Sequence, residues 1–209
     1  MKTRGILYLS NEEVRGLLDL RQAIEITEEA LRDHSDGRVI WSKPEDLAIK
    51  PERGWQSWVT GCALTSSPVA GFRIRAIKAE GGSRDPSRAP RGPRRILILS
   101  DREGGEILAI MDEDWCHAVR TGAAATVACR ALARKGSSTL AMLGAGDTAR
   151  ATLPVMAKAF HLGEVRVASR SPESRQAYAK ELGEQLGICV LAVDSAEEAL
   201  KGADMVISA

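Results

Sequence analysis

The sequence predicts an α/β protein, with an N-terminal α+β domain followed by part of a parallel, doubly wound sheet. After Ser138, apolar strand-like runs alternate with helix-like segments, as in a parallel sheet with right-handed crossovers. Before Ser138, strand-like runs follow one another directly, which is typical of antiparallel pairing. We place the domains at residues 1–125 and 126–209, with a long helix at about residues 113–134 as the connector.

Composition excludes little. The chain has 209 residues and a net charge of +1, so overall charge does not favour nucleic acid or an anionic membrane. The apolar run Ile6–Leu9 is too short for a signal peptide or a membrane span, which makes the cytoplasm the expected location. The four cysteines form no C-x-x-C pair and the chain has only three histidines, so we expect reduced thiols, mostly in the core, and no metal site.

The N-terminal segment predicts two amphipathic helices. Ser10 can cap the first helix, with Glu13 as its capping-box partner. The second continues at helical spacing until Gly37, which can end it in a left-handed conformation. Residues 41–65 are irregular and predict only a strand at about residues 58–64.

A two-faced strand is predicted by "GFRIRAIK", with a core face of Phe72, Ile74 and Ala76 and a basic face of Arg73 and Arg75. The Gly-, Pro- and Arg-rich segment that follows predicts a solvated loop. An arm that binds nucleic acid through the arginines at 84–95 is the alternative, although no aromatic residue is interleaved for base stacking. A β-hairpin is predicted next by "RILILS" and "EILAIMD".

The long helix has an acidic start and a basic end, matching the helix dipole. Its small residues would let a backbone or ligand approach closely: Gly122, Ala123, Ala124, Ala125 and Ala128. A break in the helix at Gly122 is the alternative. Beyond it we expect strands at 139–143, 165–169, 188–193 and 205–208, with helices between them.

A glycine turn lies between the first of these strands and its helix. Gly144, Gly146 and Ala149 fit G-x-G-x-x-A, in which the glycines allow a tight turn and a close approach of pyrophosphate to the helix N-terminus. The context on both sides favours a dinucleotide site over a turn without a ligand.

The next strand ends in "VRVASRSPE", where an NAD enzyme usually has a carboxylate on the ribose. Ser169, Arg170 and Ser171 suit a 2′-phosphate better, which favours NADP(H) while NAD(H) stays possible. The alternative is a surface loop with a helix cap at Ser171. Arg120, on the long helix, could bind a substrate carboxylate bidentately, although a helix arginine is usually a solvated charge.

Four segments together resemble the ornithine cyclodeaminase and mu-crystallin family: "LYLSNEEVRGLLDL", "AIMDEDWCHAVRTGAAATVACRALAR", "LAMLGAGDTAR" and "VRVASRSPE". The resemblance implies an N-terminal domain for substrate binding and homodimer formation. It also implies a Rossmann domain for a nicotinamide cofactor, and hydride chemistry at the carbon–nitrogen bond of an amino acid or cyclic imino acid.

By the same resemblance, Arg120 binds the substrate carboxylate. The implied cofactor contacts are Thr121 and the turn Gly144, Ala145 and Gly146, and we add the next three residues of the turn, Asp147, Thr148 and Ala149. His117 stands where the family usually has threonine or another small residue. We interpret it as a partly buried helix histidine rather than a proton donor.

Three departures from the family pattern bear on activity. Arg73 aligns with a substrate-site lysine and keeps its charge, but it cannot readily release a proton. No arginine follows Pro44, where the family has one. The chain ends at Ala209, before the second half of the dinucleotide fold and its catalytic aspartate, so we expect an incomplete Rossmann domain and a fragment of a longer protein.

Three function classes follow. The first is an oxidoreductase, acting as an imine reductase or as an ornithine cyclodeaminase, with Arg73 and Arg120 as catalytic residues. The second is a crystallin-like protein that binds NADP(H) without turnover, favoured by the absence of the lysine. The third, binding of nucleic acid through residues 84–95, is the least favoured, and we expect no nucleic acid or membrane partner.

Overall fold

The computed structural model describes residues 5–41, 45–50, 55–64, 67–78 and 95–209. Two compact units make up the chain. The first unit comprises Met1–Leu18 and Glu29–Cys116, and the second comprises Asp19–Glu28 and His117–Ala209. A domain boundary between residues 125 and 126 stays a prediction.

The two N-terminal helices form where the caps predict them. After strand β1 (Leu7–Leu9), Ser10 caps helix α1 (Asn11–Leu17) in a capping box. The N–H of Ser10 donates to Glu13 Oε2 at 2.8 Å, and the N–H of Glu13 donates to Ser10 Oγ at 3.3 Å. Helix α2 (Leu20–Ser35) is followed by Gly37, whose φ of 72° is left-handed as predicted.

Within the described residues, seven strands form the sheet of the first unit, in the order β1-β7-β6-β5-β4-β2 with β3 also paired to β4. Besides β1 they are β2 (Val39–Trp41), β3 (Glu45–Lys50), β4 (Trp55–Leu64), β5 (Val69–Lys78), β6 (Arg95–Asp101) and β7 (Ile107–Asp112). The β6–β7 hairpin is confirmed, and the strand predicted at 58–64 begins earlier. Neither β2 nor β3 was predicted. The arginine-rich loop lies outside the described residues, except for Arg95 in β6.

The prediction of which face of β5 is buried is wrong. Phe72 and Ile74 are 44% and 39% exposed, so their face is not a buried core. Arg73 shares its face with Ala109 of β7, which is 6% exposed, so this is the covered face of the sheet. Alternation shows which residues share a face, but not which face meets the core.

The second unit is built from alternating strands and helices, as predicted. Helix α3 (Asp114–Leu132) leads into β8 (Thr139–Leu143), α4 (Asp147–Ala159), β9 (Glu164–Ala168), α5 (Pro172–Leu186), β10 (Cys189–Ala192), α6 (Ala196–Leu200) and β11 (Met205–Ser208). In the described part of the chain, the four strands pair in parallel in the order β10-β9-β8-β11. This order is that of the first four strands of a doubly wound sheet.

The core of the second unit surrounds β8. Leu140, Ala141 and Met142 are all fully buried although they point to alternate faces, because helices cover both sides of the sheet. The hydroxyl of Tyr178, also fully buried, donates to the carbonyl of Ala149 at 3.1 Å. This bond ties α5 to the first turn of α4.

Asp204 fixes the amino end of β11 to that of β8. Its Oδ2 accepts the N–H groups of Ser138 and Thr139 at 3.0 and 3.1 Å, and its Oδ1 accepts a bond from Arg134 at 3.0 Å. The two N–H bonds, followed by the guanidinium, hold the pKa of the Asp204 carboxyl below its usual value.

Helices α3 and α4 cross where α3 has a glycine. A Cβ on Gly122 would lie 2.8 Å from Cα of Thr152, which is too close for a real Cβ. The prediction that a small residue of α3 admits another backbone is therefore confirmed at this position.

We predict that Gly122→Ala lowers the free energy of unfolding by about 1–3 kcal/mol, because the added methyl group forces the two helix backbones apart. Gly16→Ala in α1 is the matched control, since nothing lies within 4 Å of a Cβ there. It should leave stability unchanged or raise it by up to about 1 kcal/mol. Urea unfolding followed by circular dichroism measures both, and equal effects would contradict a close crossing of α3 and α4 at Gly122.

Candidate functional site

The glycine turn after β8 needs glycine at its first position for backbone reasons. Gly144 has a φ of 127°, which L-residues rarely adopt. Its N–H donates to the carbonyl of Ala168 at 2.8 Å, which ties the turn to the end of β9. A Cβ on Gly144 would collide with the carbonyl oxygen of Ala209, so the backbone at the end of β11 presses against this turn.

Gly146 differs, because its missing side chain leaves open space. It is the N-cap of α4 with φ −84° and ψ −173°, an extended conformation that any residue can adopt, and nothing lies within 4 Å of a Cβ built on it. The first N–H groups of a helix have no acceptor within the helix. The open space at the start of α4 therefore suits an anion that approaches these N–H groups.

The other turn residues divide into packed and exposed positions. Ala149 is fully buried and Ala145 nearly so, which lets α4 lie close to the strand that precedes it. Asp147 is exposed and Thr148 is half-buried. A carboxylate at the first position of a helix is favoured by the helix dipole, so Asp147 also competes with a bound anion for the same positive potential.

The strand order reverses at β8 and β11. The chain proceeds outward from β8 to β9 and β10, and then returns to the other side of β8 as β11. Ligands of doubly wound sheets bind at such a reversal. Ser208 and Ala209 therefore belong to the candidate site. The sequence analysis did not identify them, and the one available signal was their position at the carboxyl end of the fourth predicted strand.

The turn after β9 uses its two serine hydroxyls internally. Ser169 Oγ donates to the carbonyl of Ser171 at 2.9 Å. Ser171 Oγ accepts the N–H of Ser174 at 3.1 Å, so the alternative of a helix cap is present. Arg170 is exposed, and among the described residues it has no hydrogen bond or ion pair. Arg170 is thus the residue of this turn best placed for a phosphate.

Ser169, Arg170 and Ser171, at the end of β9, include no carboxylate, but one lies just beyond them in α5. Glu173, in the first turn of α5, accepts a bond from Ser171 Oγ at 2.8 Å. Its own backbone N–H, then the Ser171 hydroxyl, lower the pKa of the Glu173 carboxyl, so it is ionised at neutral pH. A carboxylate here favours ribose hydroxyls and opposes a 2′-phosphate.

Arg120 lies on α3 in the second unit, as does the glycine turn. It is exposed, and its Nη2 is 2.8 Å from Nδ1 of the half-buried His117. Thr121, the other predicted contact on this helix, donates its hydroxyl to the carbonyl of His117 at 2.7 Å. The hydroxyl of Thr121 is therefore engaged within the helix.

Arg73 has a different environment in the first unit. Its Nη2 forms an ion pair with Oε1 of Glu113, a side chain that is only 2% exposed. The Nε of Arg73 is buried and has no hydrogen-bond partner among the described residues. No local sequence pattern could have indicated this pairing, since the two residues are far apart along the chain. The pair neutralises much of the charge that Arg73 would offer to a ligand.

The cysteines do not form the core that was predicted for them. Cys62, Cys116 and Cys129 are only half-buried and Cys189 is exposed. Burial raises the pKa of the Cys116 thiol, and the nearby Glu113 charge raises it further against the opposing effect of Arg73. Burial also raises the pKa of the Cys62 and Cys129 thiols, so these three are poor nucleophiles at neutral pH.

Neither a metal centre nor a membrane-spanning helix is found in the described part of the chain. No group of three or more His, Cys, Asp or Glu side chains there could hold a metal ion. No helix in the same residues is long and apolar enough to cross a membrane.

A shallow groove of about 420 Å³ lies along α3 and β11 in the second unit. Ala125 and Ala128 line it. The small residues of α3 therefore leave space for this groove, in addition to allowing the close crossing with α4. Most of its other lining residues are apolar, including Leu132 and Met205.

A model of the "Ornithine cyclodeaminase/mu-crystallin family" matches residues 6–209. The chain belongs to this family. The resemblance inferred from four sequence segments is thereby confirmed over nearly the whole chain.

The chain is similar in sequence and fold to several enzymes of this kind. The rat (Rattus norvegicus) ketimine reductase mu-crystallin is 32% identical over 209 residues, which cover 98% of this chain and 64% of that protein. The Thermococcus litoralis Δ1-pyrroline-2-carboxylate reductase, solved with NADH and L-proline, is 25% identical with a TM-score of 0.85, and the match covers 97% of this chain and 61% of that one. An archaeal alanine dehydrogenase dimer with bound NAD is 25% identical with a TM-score of 0.82, covering 97% and 60%.

These matches confirm the predicted fold class, an α/β chain with a Rossmann-like part. The chain spans less than two thirds of the length of each of these family members.

Proposed function

We propose that the protein is an NAD(P)-dependent oxidoreductase that acts on the carbon–nitrogen bond of an amino acid or cyclic imino acid. The observation that carries the proposal is the open space beside Gly146 at the start of α4, in the same compact unit as Arg120. Family members solved with NADH and L-proline, or with NAD, support the same chemistry.

Each part of the site has a distinct task in this proposal. The N–H groups at the start of α4 hold the pyrophosphate, and the strand-order reversal at Ser208 and Ala209 receives the nicotinamide end. The nicotinamide ring supplies or accepts the hydride. Arg120 binds the substrate carboxylate through two parallel N–H bonds and so orients the carbon–nitrogen bond. Because binding fixes both reactants, orientation supplies much of the acceleration.

Arg73 is a second, separate proposal as a substrate contact. As an arginine it acts through charge and hydrogen bonds rather than as a proton donor. Its pairing with Glu113 favours a second candidate function, a crystallin-like protein that binds NADP(H) without turnover. Loss of nicotinamide absorbance with Δ1-pyrroline-2-carboxylate distinguishes the two, because cofactor binding without transfer to any imine or amino acid supports the second.

An imine reductase is favoured over a cyclodeaminase. A reductase consumes NADPH, whereas a cyclodeaminase recycles its cofactor, so a preference for the phosphorylated cofactor fits the reductase better. Arg170 supports this preference, and Glu173 opposes it.

The partner proposed for the first unit is a second copy of the chain. Phe72 and Ile74 lie beside Ile98 and Ile96 on the partly exposed face of the sheet, and Tyr8 extends the same face at 63% exposure. The archaeal alanine dehydrogenase, which was solved as a dimer, supports a homodimer.

For the anion site at the start of α4, we predict that Gly146→Ala weakens NADPH and NADH binding at least about tenfold. The added methyl group displaces a phosphate from the helix N–H groups, and a hydrogen bond to a charged group contributes about 1.5–3 kcal/mol. Gly163→Ala is the control, since a Cβ there makes only ordinary contacts, at 3.8 Å or more. Fluorescence titration measures affinity, and unfolding curves should coincide with those of the wild type. Unchanged affinity in Gly146→Ala would contradict this anion site.

For the substrate, Arg120→Lys should raise KM for Δ1-pyrroline-2-carboxylate roughly 10- to 100-fold, since lysine keeps the charge but not the two-point geometry. Arg130→Lys, on the same helix and 47% exposed, is the matched control and should change little. Initial rates from nicotinamide absorbance give both constants. A similar KM in the two variants would remove Arg120 from the substrate site.

For the cofactor, Arg170→Ala should weaken NADPH binding about tenfold and leave NADH binding unchanged, because only NADPH carries the 2′-phosphate. Glu173→Gln should strengthen NADPH binding, since it removes a nearby negative charge. Competitive titration with both cofactors tests this, and an equal loss for NADPH and NADH would refute the assignment of Arg170.

For assembly, Ile98→Glu should convert a dimer into a folded monomer, because a buried, unpaired carboxylate is costly at an apolar interface. Leu191→Glu on β10 in the second unit is the control, as Leu191 is 44% exposed. Light scattering after size-exclusion chromatography gives the mass. A wild-type monomer, or a dimer that survives Ile98→Glu, would exclude this face.

A further inference from the structure

The bond between His117 and Arg120 restricts both side chains. They lie three residues apart on α3 and are therefore neighbours on one helix face. Arginine stays protonated and its guanidinium has only donors, so with 2.8 Å between Nη2 and Nδ1 the histidine nitrogen must be the acceptor. The imidazole is then neutral and carries its hydrogen on Nε2.

This bond is compatible with a bound carboxylate. A guanidinium has five N–H groups, and the histidine takes one of them. A two-point carboxylate contact needs two more. The histidine side chain is half-buried, which restricts its own motion, so its ring can hold the exposed arginine beside it.

We propose that His117 is a positioning residue that orients the Arg120 guanidinium for the substrate carboxylate. The inference rests on the function proposed for Arg120. An unrestrained arginine side chain loses much rotamer freedom when it binds a ligand, and a neighbour that already restricts it reduces that loss.

The alternative roles fit the geometry less well. A proton donor would need Nδ1 protonated or Nε2 aimed at substrate, yet protonation of Nδ1 would break the bond and place two positive charges 2.8 Å apart. A purely structural histidine would leave the binding of L-proline unchanged when its acceptor nitrogen is removed. Acceptance of the hydrogen bond at Nδ1 is therefore the property to test.

Three variants test whether a hydrogen-bond acceptor is needed at the position of the His117 Nδ1 atom: His117→Asn, His117→Gln and His117→Ala. The asparagine side chain can place its Oδ1 where Nδ1 of His117 lies, whereas the glutamine side chain carries its oxygen one bond farther out. With cofactor bound, we expect the Kd of L-proline to rise about 3- to 10-fold in His117→Gln and His117→Ala and to stay near wild type in His117→Asn. Pyrrolidine, which lacks the carboxylate, should bind equally to all four proteins.

NADPH affinity and circular dichroism, which should not change, show that the variants fold. Equal weakening in His117→Asn and His117→Gln, or equal changes for L-proline and pyrrolidine, would overturn the positioning role.

A second measurement does not depend on the substrate. Imidazole nitrogen NMR should show the Nε2–H tautomer in the wild type and lose that preference in Arg120→Met. An Nδ1–H tautomer in the wild type would overturn the inference whatever ligand binds. If the tautomer is as expected but wild-type protein binds no L-proline, it is the proposed substrate class that fails, and the positioning role fails with it.

Discussion

The contact between Gly144 and the end of β11 determines where a ligand can lie in the second unit. Because the Ala209 carbonyl occupies the space of a Gly144 side chain, β8 and β11 are held together at their carboxyl ends. Two residues further on, Gly146 caps α4 and has open space beside it, next to the first N–H groups of the helix. The space beside one glycine is therefore filled by the protein, and the space beside the other is left for a ligand.

The two candidate arginines show how burial sets the use of a charge. Arg73 faces a carboxylate that is almost fully removed from water, where an unpaired charge would be very costly. The buried Glu113 carboxylate therefore requires a positively charged partner, and the ion pair neutralises most of the charge of Arg73. Arg120 is exposed and bonded to a neutral ring, a contact that restricts the direction of the guanidinium without neutralising its charge. The two arginines therefore differ in the burial of the group that they contact, a carboxylate removed from water for Arg73 and a half-buried ring for Arg120.

Sequence predicted what depends on near neighbours in the chain. The Ser10–Glu13 box, the left-handed Gly37 and the strand–turn–helix around Gly144 are all local, and each is confirmed. The covered face of β5 depends on which side receives helices, and the pairing of Arg73 with Glu113 joins distant segments. Glu173 was visible in the sequence, but its link to Ser171 follows from the first turn of α5.

The hydrogen bonds of the Asp204 carboxylate have a consequence for the order in which the second unit folds during synthesis. This carboxylate binds N–H groups 65 and 66 residues earlier, at the very start of β8. During synthesis β8 and β9 leave the ribosome well before β11, so one edge of β8 stays unpaired until β11 has been synthesised. A nascent chain stalled before residue 204 thus carries an open apolar strand edge, and it is at this stage that protection by a chaperone matters most.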